Sequence, residues 1–242
     1  MNTNLTSGQT DLEARNSTLK EIIATGQVTS PNGQVLSLHS HVSAIEANAL
    51  YELVKKRQPR TVLEVGMAFG VSSLAILTAL DELGAGSLTS VDPNQIEGEW
   101  KGTGLANVRR AGFASRHTLI EQSNFLALPR LFESGMKIDL AYIDGWHTFE
   151  YALLDFFFID KMLAEHGVVG FNDAGWPSVH KVIKFLLRHR KYVEIDVGLP
   201  TVYRARHFHT AIARRILNAP TQDRYFEKLA QWEPPFNYFA NF

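Results

Sequence analysis

The chain has 242 residues, no cysteine, 45% hydrophobic residues and a formal net charge of −1. This composition excludes a disulfide scaffold, a thiolate metal site and a largely disordered chain, and the charge gives no basic field for nucleic acid. The longest apolar stretch, residues 151–159, contains Asp155 and is shorter than the roughly 18–20 residues that span a bilayer. The polar N-terminus has no signal-peptide pattern. We therefore expect a soluble, cytoplasmic enzyme or binding domain with neither nucleic acid nor a membrane as its partner.

The N-terminal part of the chain is predicted to be an arm followed by two helices. Residues 1–17 show no periodicity, which is typical of a mobile arm. A short helix is predicted over 18–24. A second helix begins near Ser43, where Glu46 completes a capping box, and ends before Pro59.

From residue 61 onward, short apolar runs alternate with segments of helical period. The predicted strands are 61–65, 87–92, 117–121, 138–144, 168–172, 192–197 and 201–205. The predicted helices between them are 71–83, 105–111, 125–132, 149–164 and 179–189. Repeated βα units indicate an α/β fold with a parallel sheet covered by helices on both faces. The connection between the last two strands is too short for a helix, so these strands are expected to pair antiparallel.

One catalytic or binding domain with two flanks is the predicted organisation. Residues 1–42 form an N-terminal arm and helix, residues 43–206 the domain, and residues 207–242 a C-terminal extension. The extension ends in an aromatic run from Trp232 to Phe242. Such an apolar tail either covers the active site or mediates contacts between copies of the chain in a homo-oligomer.

Polar residues follow five of the predicted strands. In doubly wound sheets, ligands bind at the carboxyl ends of the strands, so these residues are the candidates for a functional site. They are Glu64 with Gly66, Asp92, the run 121–124, the run 144–147, and Asn172 with Asp173.

The segment that starts at Glu64 follows a strand and opens a helix. Gly66 and Gly70 permit positive φ and a close approach of the backbone to a ligand, or simply close helix–strand packing. Ala68 stands where a dinucleotide fingerprint requires glycine, and no phosphate-loop motif is present. The loop therefore favours a ligand smaller than pyrophosphate. Asp92 either accepts ribose hydroxyls or forms a turn.

Together these motifs resemble class I S-adenosylmethionine-dependent methyltransferases. The closer likeness is to small-molecule O-methyltransferases of the catechol type and to a bacterial group with an Ile-Asp-Gly-x-His strand end. The residues that carry the resemblance, within 43–206, are Glu64-x-Gly66-x-x-x-Gly70, Asp92, Ile143-Asp144-Gly145-Trp146-His147, and the run 167–173 that ends in Asn172-Asp173. The resemblance implies a Rossmann-like, doubly wound, mostly parallel seven-stranded sheet with an antiparallel C-terminal strand.

The resemblance also implies how the cofactor is held. The glycine loop wraps the methionine part, Asp92 binds the ribose, and the end of the third strand and Trp146 contact the adenine. The residues expected at the S-adenosyl-L-methionine site are Glu64, Gly66, Met67, Ala68, Phe69, Gly70, Ser72, Asp92, Ser123, Asn124, Asp144 and Trp146.

The resemblance further implies the acceptor chemistry. Asp144 and Asp173 match two carboxylates that hold Mg²⁺ in metal-dependent members, and Asn172 is a third candidate ligand. His147 falls where catechol-type enzymes carry their catalytic lysine. Methyl transfer needs the acceptor aligned and its proton removed, and a histidine with a pKa of about 6.5 can take that proton near neutral pH. We therefore predict His147 as the general base for a small-molecule acceptor.

Two departures from the sequences of the relatives leave open whether the protein requires a metal ion. Ala174 stands where catechol-type enzymes have asparagine, and Asn172 where relatives with an Asp-Asp pair have aspartate. Metal-dependent and metal-free transfer to oxygen, and transfer to nitrogen, all fit these residues. Outside methyltransferases, the alternatives are a nucleotide-dependent oxidoreductase, which Ala68 disfavours, and a non-catalytic Rossmann-like binding module.

Overall fold

The computed structural model describes residues 11–199 and 223–242. Its N-terminal flank, from residue 11 onward, is folded. Helices α1 (Asp11–Arg15) and α2 (Ser17–Thr25) are followed by a hairpin of β1 (Gln27–Thr29) and β2 (Val35–Ser37). Leu12 is fully buried, and the Asn16 side chain both caps α2 and donates a 2.8 Å hydrogen bond to Thr78. The prediction of a mobile arm is therefore wrong for residues 11–17. Residues 1–10 lie outside the described residues.

The remaining elements follow the predicted βα rhythm. They are α3 (Ala44–Arg57), β3 (Thr61–Val65), α4 (Val71–Glu82), β4 (Ser87–Val91), α5 (Thr103–Arg110), β5 (His117–Ile120), α6 (Asn124–Glu133), β6 (Ile138–Ile143), α7 (Phe149–Met162), β7 (Leu163–Phe171), α8 (Pro177–His189), β8 (Tyr192–Ile195) and β9 (Arg224–Lys228). The capping box at Ser43 and Glu46 is present, as predicted.

A seven-stranded sheet has the order β5-β4-β3-β6-β7-β9-β8. The pairs from β5 to β7 are parallel, and β9 runs antiparallel to both β7 and β8. This arrangement confirms the predicted Rossmann-like, mostly parallel sheet with an antiparallel C-terminal strand.

The antiparallel strand comes from a segment for which no strand was predicted. We expected residues 201–205 to pair with the strand at 192–197, but they lie outside the described residues. The neighbour of β8 is β9, which belongs to the predicted C-terminal extension. Its sequence, Arg-Tyr-Phe-Glu-Lys, does not read as a central strand because three of its residues are charged. Arg224 forms a two-pronged ion pair with Glu194, and Lys228 is buried against Asp160.

Helices cover both faces of the sheet. On one face, α3 and α4 pack on strand residues such as Val62 and Leu140. On the other face, α7 and α8 pack on their neighbours Leu63 and Ala141. Within the described ranges, no helix is long and apolar enough to cross a membrane. Burial of both faces leaves the carboxyl ends of β3, β4, β6 and β7 at one edge as the place for ligands.

Candidate active site

The loop between β3 and α4 is held tightly against the end of β6. Gly66 and Gly70 have φ of +86° and +85°. A Cβ added to Gly66 would lie 2.1 Å from the backbone oxygen of Asp144, and one on Gly70 would lie 3.2 Å from that of Gly104. Close backbone packing thus requires glycine at position 66. Ala68 has φ of +46°, so the loop turns sharply without the glycine of a dinucleotide fingerprint.

Asp92, at the end of β4, anchors this loop. Its Oδ2 accepts hydrogen bonds from the backbone N–H groups of Met67 and Ala68, at 3.0 and 2.9 Å. Its Oδ1 accepts one from Asn94, at 2.9 Å. A carboxylate offers about four acceptor positions, so capacity for a further donor remains. Asp92 therefore forms the turn that the sequence suggested and also shapes the glycine loop.

Glu64 supports the loop from beneath. It is fully buried, and its carboxylate accepts hydrogen bonds of 2.6 Å each from the hydroxyls of Ser72, Ser73 and Ser90. Burial raises the pKa of Glu64, although the three serine hydroxyls oppose the rise. The hydroxyl of Ser72, one of the residues expected at the cofactor site, is directed at Glu64. Ser73 and Ser90 were not predicted as part of the site, because small polar residues carry no distinctive pattern.

Aromatic rings from three separate segments cluster at Phe69 of the loop. The ring of Phe69 lies 5.0 Å from that of His39 and 5.1 Å from that of Trp100, in edge-to-face contacts. The residues before α3 and those after β4 are thereby joined to the glycine loop. This aromatic cluster beside the glycine loop was not predicted from the sequence.

The ends of β5 and β6 are linked by a buried carboxyl group on α7. Asn124 donates a short hydrogen bond from its side-chain amide to Asp155. The other carboxyl oxygen of Asp155 lacks a hydrogen-bond partner among the described residues, and a Cβ added to Gly145 would lie 3.7 Å from it. Burial raises the pKa of Asp155 to about 7. Asp155 thus touches both segments expected to hold adenine, while Trp146 is 67% exposed. The available signal was an acidic residue flanked by apolar residues in α7.

His147 lies between two carboxylates. Its Nε2 is 3.7 Å from Oδ1 of Asp144 and 3.5 Å from Oδ2 of Asp173. Burial lowers the pKa of His147, and the charge of Asp173 opposes this. Burial raises the pKa of Asp144 well above its usual value, and Asp223 adds to the rise. The structure therefore brings the predicted catalytic residue and both predicted carboxylates together, with the imidazole neutral at neutral pH.

These residues do not fit a magnesium ion as they are arranged. Mg²⁺ takes an octahedron of oxygen ligands at about 2.0–2.1 Å, whereas the nitrogen Nε2 of His147 lies within 3.7 Å of both the Asp144 and the Asp173 carboxylate. Asn172, the third predicted ligand, donates from its amide nitrogen to Asp223, so its carbonyl oxygen is the atom that remains for a ligand. In the described part of the chain, no group of three or more His, Cys, Asp or Glu side chains is placed to hold a metal ion.

Asp223, the residue that precedes β9, lies at the same edge of the sheet. Its buried carboxylate accepts hydrogen bonds from the hydroxyls of Tyr142 and Tyr225, at 2.7 and 2.8 Å, and from the Asn172 amide, at 2.9 Å. Burial raises the pKa of Asp223 to about 7. Asp223 was not predicted as part of the site, because nothing in the local sequence pattern connects it with residue 172.

The aromatic C-terminal run packs against α8. Phe242 contacts the ring of Phe185 at 5.3 Å, and Tyr238 contacts that of His189 at 5.5 Å. Both partners are in the second half of α8, whereas the site adjoins the first turn of that helix. These contacts do not place Tyr238 or Phe242 over His147.

The sheet order, the glycine loop after its central strand β3 and the acidic strand ends define a class I methyltransferase fold. Residues 63–174 match the family model described as a methyltransferase domain. This match confirms the resemblance to methyltransferases inferred from the sequence. A comparison with curated proteins gives no match.

Solved methyltransferases share the fold. The chain is similar to cofactor-bound Rv0187 from MTB, with a TM-score of 0.64 and 16% identity over 93% of each chain. It is also similar to the O-methyltransferase from Bacillus cereus in complex with SAH, with a TM-score of 0.62 and 15% identity over 87% of this chain and 90% of that one. TomG from Streptomyces achromogenes, an O-methyltransferase in complex with SAM, gives 0.57 and 19% over 79% and 84%.

Proposed function

We propose that the protein transfers a methyl group from S-adenosylmethionine to a hydroxyl oxygen of a small molecule. The observation that carries this proposal is the position of His147, neutral and between two carboxylates, on the sheet edge that also holds the glycine loop. The solved neighbours support the choice of oxygen, since two of them are O-methyltransferases by name. The near-zero net charge favours a small acceptor over nucleic acid.

The cofactor site that we propose runs along the ends of β3, β4, β5 and β6. The loop from Gly66 to Gly70 holds the methionine part, and the remaining acceptor capacity of Asp92 takes ribose hydroxyls. Ser123, Asn124 and Trp146 contact the adenine, with Asp155 fixing the amide of Asn124. Glu64 and Ser72 act beneath the loop, where their mutual hydrogen bond keeps the turn rigid.

The proposed chemistry is proton removal coupled to an in-line displacement. S-adenosylmethionine, when bound, supplies a methyl group on a sulfonium sulfur, so the protein must align the acceptor and take its proton. Nε2 of His147 accepts that proton as the oxygen–methyl bond forms and the sulfur–methyl bond breaks. The imidazolium that results is stabilised by Asp173 and by the ionised fraction of Asp144.

Calorimetry and turnover test the function. We expect S-adenosylhomocysteine to bind and NAD(P) not to bind, because the loop lacks the glycine that admits pyrophosphate. We also expect methyl transfer from labelled S-adenosylmethionine to at least one member of a panel of phenols and sugars. NAD(P) binding alone would favour an oxidoreductase. Transfer only to added amines would favour a nitrogen acceptor, and S-adenosylhomocysteine binding without turnover would favour a binding module.

We infer that transfer does not depend on Mg²⁺, because Nε2 of His147 lies within 3.7 Å of both carboxylates that would hold the ion. The expected result is that EDTA leaves kcat unchanged and that added Mg²⁺ produces no heat of binding in calorimetry. Both measurements use the same protein preparation, with Ca²⁺ as the control for non-specific charge screening. A loss of activity on chelation that Mg²⁺ restores would contradict the inference and return Asp144, Asp173 and Asn172 to the role of ligands.

Location and assembly stay predictions from the sequence. We propose a cytoplasmic protein with no nucleic-acid or membrane partner. If the protein is a homo-oligomer, we expect its copies to contact one another through exposed aromatic rings of the C-terminal run, such as that of Phe239.

A further inference from the structure

Asp223, which is buried, and Asn172, which is half-buried, form a carboxylate–amide pair beside the proposed active site. Oδ1 of Asp223 accepts the hydrogen bond from Nδ2 of Asn172, and Oδ2 accepts those from Tyr142 and Tyr225. Both tyrosines are buried, and their rings stack at 6.3 Å. The carboxylate is therefore fixed on three sides, and the amide of Asn172 is the donor that comes from the strand end.

The pair determines which way the Asn172 amide faces. Only the nitrogen of an amide donates a hydrogen bond, so a carboxylate partner draws the nitrogen and turns the carbonyl oxygen elsewhere. Asn172 lines a small cavity together with Gly145, Trp146 and His147. With its nitrogen directed at Asp223, the amide has its carbonyl oxygen left for a ligand.

The pair also accounts for asparagine at position 172. An aspartate there would place a second carboxylate within hydrogen-bond distance of Asp223, and two such groups cannot both ionise. An amide provides the donor that the buried carboxylate requires. The departure of Asn172 from relatives with an Asp-Asp pair is therefore linked to a residue of the C-terminal segment.

We propose that Asp223 is a positioning residue for the acceptor. It orients Asn172 so that the carbonyl oxygen accepts a hydrogen bond from a donor group of the small-molecule acceptor held next to His147. This inference rests on the proposed function for the identity of the ligand, whereas the orientation of the pair can be tested without any acceptor.

The orientation is tested by exchanging the two residues. Asn172→Asp opposes two carboxylates, and Asp223→Asn leaves one acceptor oxygen for the three donors that the two carboxylate oxygens now share, so we expect each single variant to lower Tm. The double variant Asn172→Asp/Asp223→Asn recreates a carboxylate–amide pair in reverse, and we expect its Tm to return towards that of the wild type. Failure of the double variant to recover beyond the less stable single variant would overturn the orientation.

The acceptor role is tested with the phenol or sugar of the panel that is turned over fastest. We expect Asp223→Asn and Asn172→Ala each to raise its KM about tenfold, the loss of one hydrogen bond, with the S-adenosylhomocysteine Kd unchanged. Because both act through the same oxygen, Asp223→Asn should add nothing in an Asn172→Ala background. Tyr225→Phe is the matched control, which removes a hydrogen bond to Asp223 on the side away from Asn172.

The outcomes separate the inference from the proposed function. If Tyr225→Phe raises the KM as much as Asp223→Asn, or if the effect of Asp223→Asn persists in the Asn172→Ala background, the positioning role is wrong and the function stands. If the wild type turns over no member of the panel, the proposed function and the acceptor contact both fail. The exchange of residues 172 and 223 still decides whether the pair orients the amide.

Discussion

His147→Ala is expected to lower kcat by about 10²–10⁴-fold, the contribution typical of a general base. The reason is that the variant leaves no imidazole to take the acceptor proton between the carboxylates of Asp144 and Asp173. We expect the Kd of S-adenosylhomocysteine to stay unchanged, since His147 is proposed to contact the methyl acceptor and not the cofactor. Rapid-quench measurement of the first turnover and calorimetry with S-adenosylhomocysteine check both parts.

His166→Ala is the matched control for this substitution. His166 is exposed, lies near the opposite edge of the sheet and forms an ion pair of 3.1 Å with Glu227, so its loss should leave kcat unchanged. If His147→Ala retains the kcat of the wild type, the base assignment is wrong even where the methyltransferase function is right. A decrease that appears only in the Kd of the cofactor would instead place His147 in the cofactor site.

The pH dependence of kcat gives a second readout of the same residue. Burial holds the pKa of His147 below its usual 6.5, so the imidazole is neutral at pH 7 and kcat should fall only as the pH drops through that lowered pKa. The charge of Asp173 raises the pKa of His147. Asp173→Asn should therefore move the acidic limb of the profile to lower pH. A shift to higher pH would show that another group titrates.

The βα rhythm could be read from the sequence because its signals are local. Strand β3 and helix α4 were predicted within one residue at each end, since their apolar runs and flanking glycines lie in the same stretch of chain. The same strand-end rule selected Asp144, His147 and Asp173, and the structure places them together. Patterns of this kind need no knowledge of partners elsewhere in the fold.

The features that were missed depend on partners far away in sequence. Strand β9 is recognisable only once Glu194 and Asp160 neutralise Arg224 and Lys228. The role of Asp223 requires its contact with Asn172, which no spacing rule predicts. The metal site suggested by three oxygen-bearing residues illustrates the converse. The residue types fit Mg²⁺, but in the described residues no group of three or more His, Cys, Asp or Glu side chains is placed to hold a metal ion.

Gly66→Ala is expected to destabilise the protein by at least about 3 kcal/mol and to abolish binding of S-adenosylhomocysteine. The added Cβ would lie 2.1 Å from the backbone oxygen of Asp144, a contact that no side-chain rotation relieves. Relief requires a shift of the loop or of the end of β6, and both are tied into the sheet. The backbone N–H of Gly66 donates to Val91, and that of Asp144 donates to Val65.

Gly26→Ala is the control that separates the steric clash at position 66 from the free-energy cost of placing alanine at a positive φ. Gly26 also has a positive φ, +62°, but no described atom lies within 4 Å of a Cβ added there. That variant should lose only the conformational cost of a left-handed residue, about 1–2 kcal/mol, and should retain cofactor binding. Urea unfolding of both variants and calorimetry with S-adenosylhomocysteine provide the comparison. Equal losses of stability would mean that the approach of the loop to Asp144 is looser than the geometry indicates. Unchanged binding in Gly66→Ala would remove the glycine loop from the proposed cofactor site.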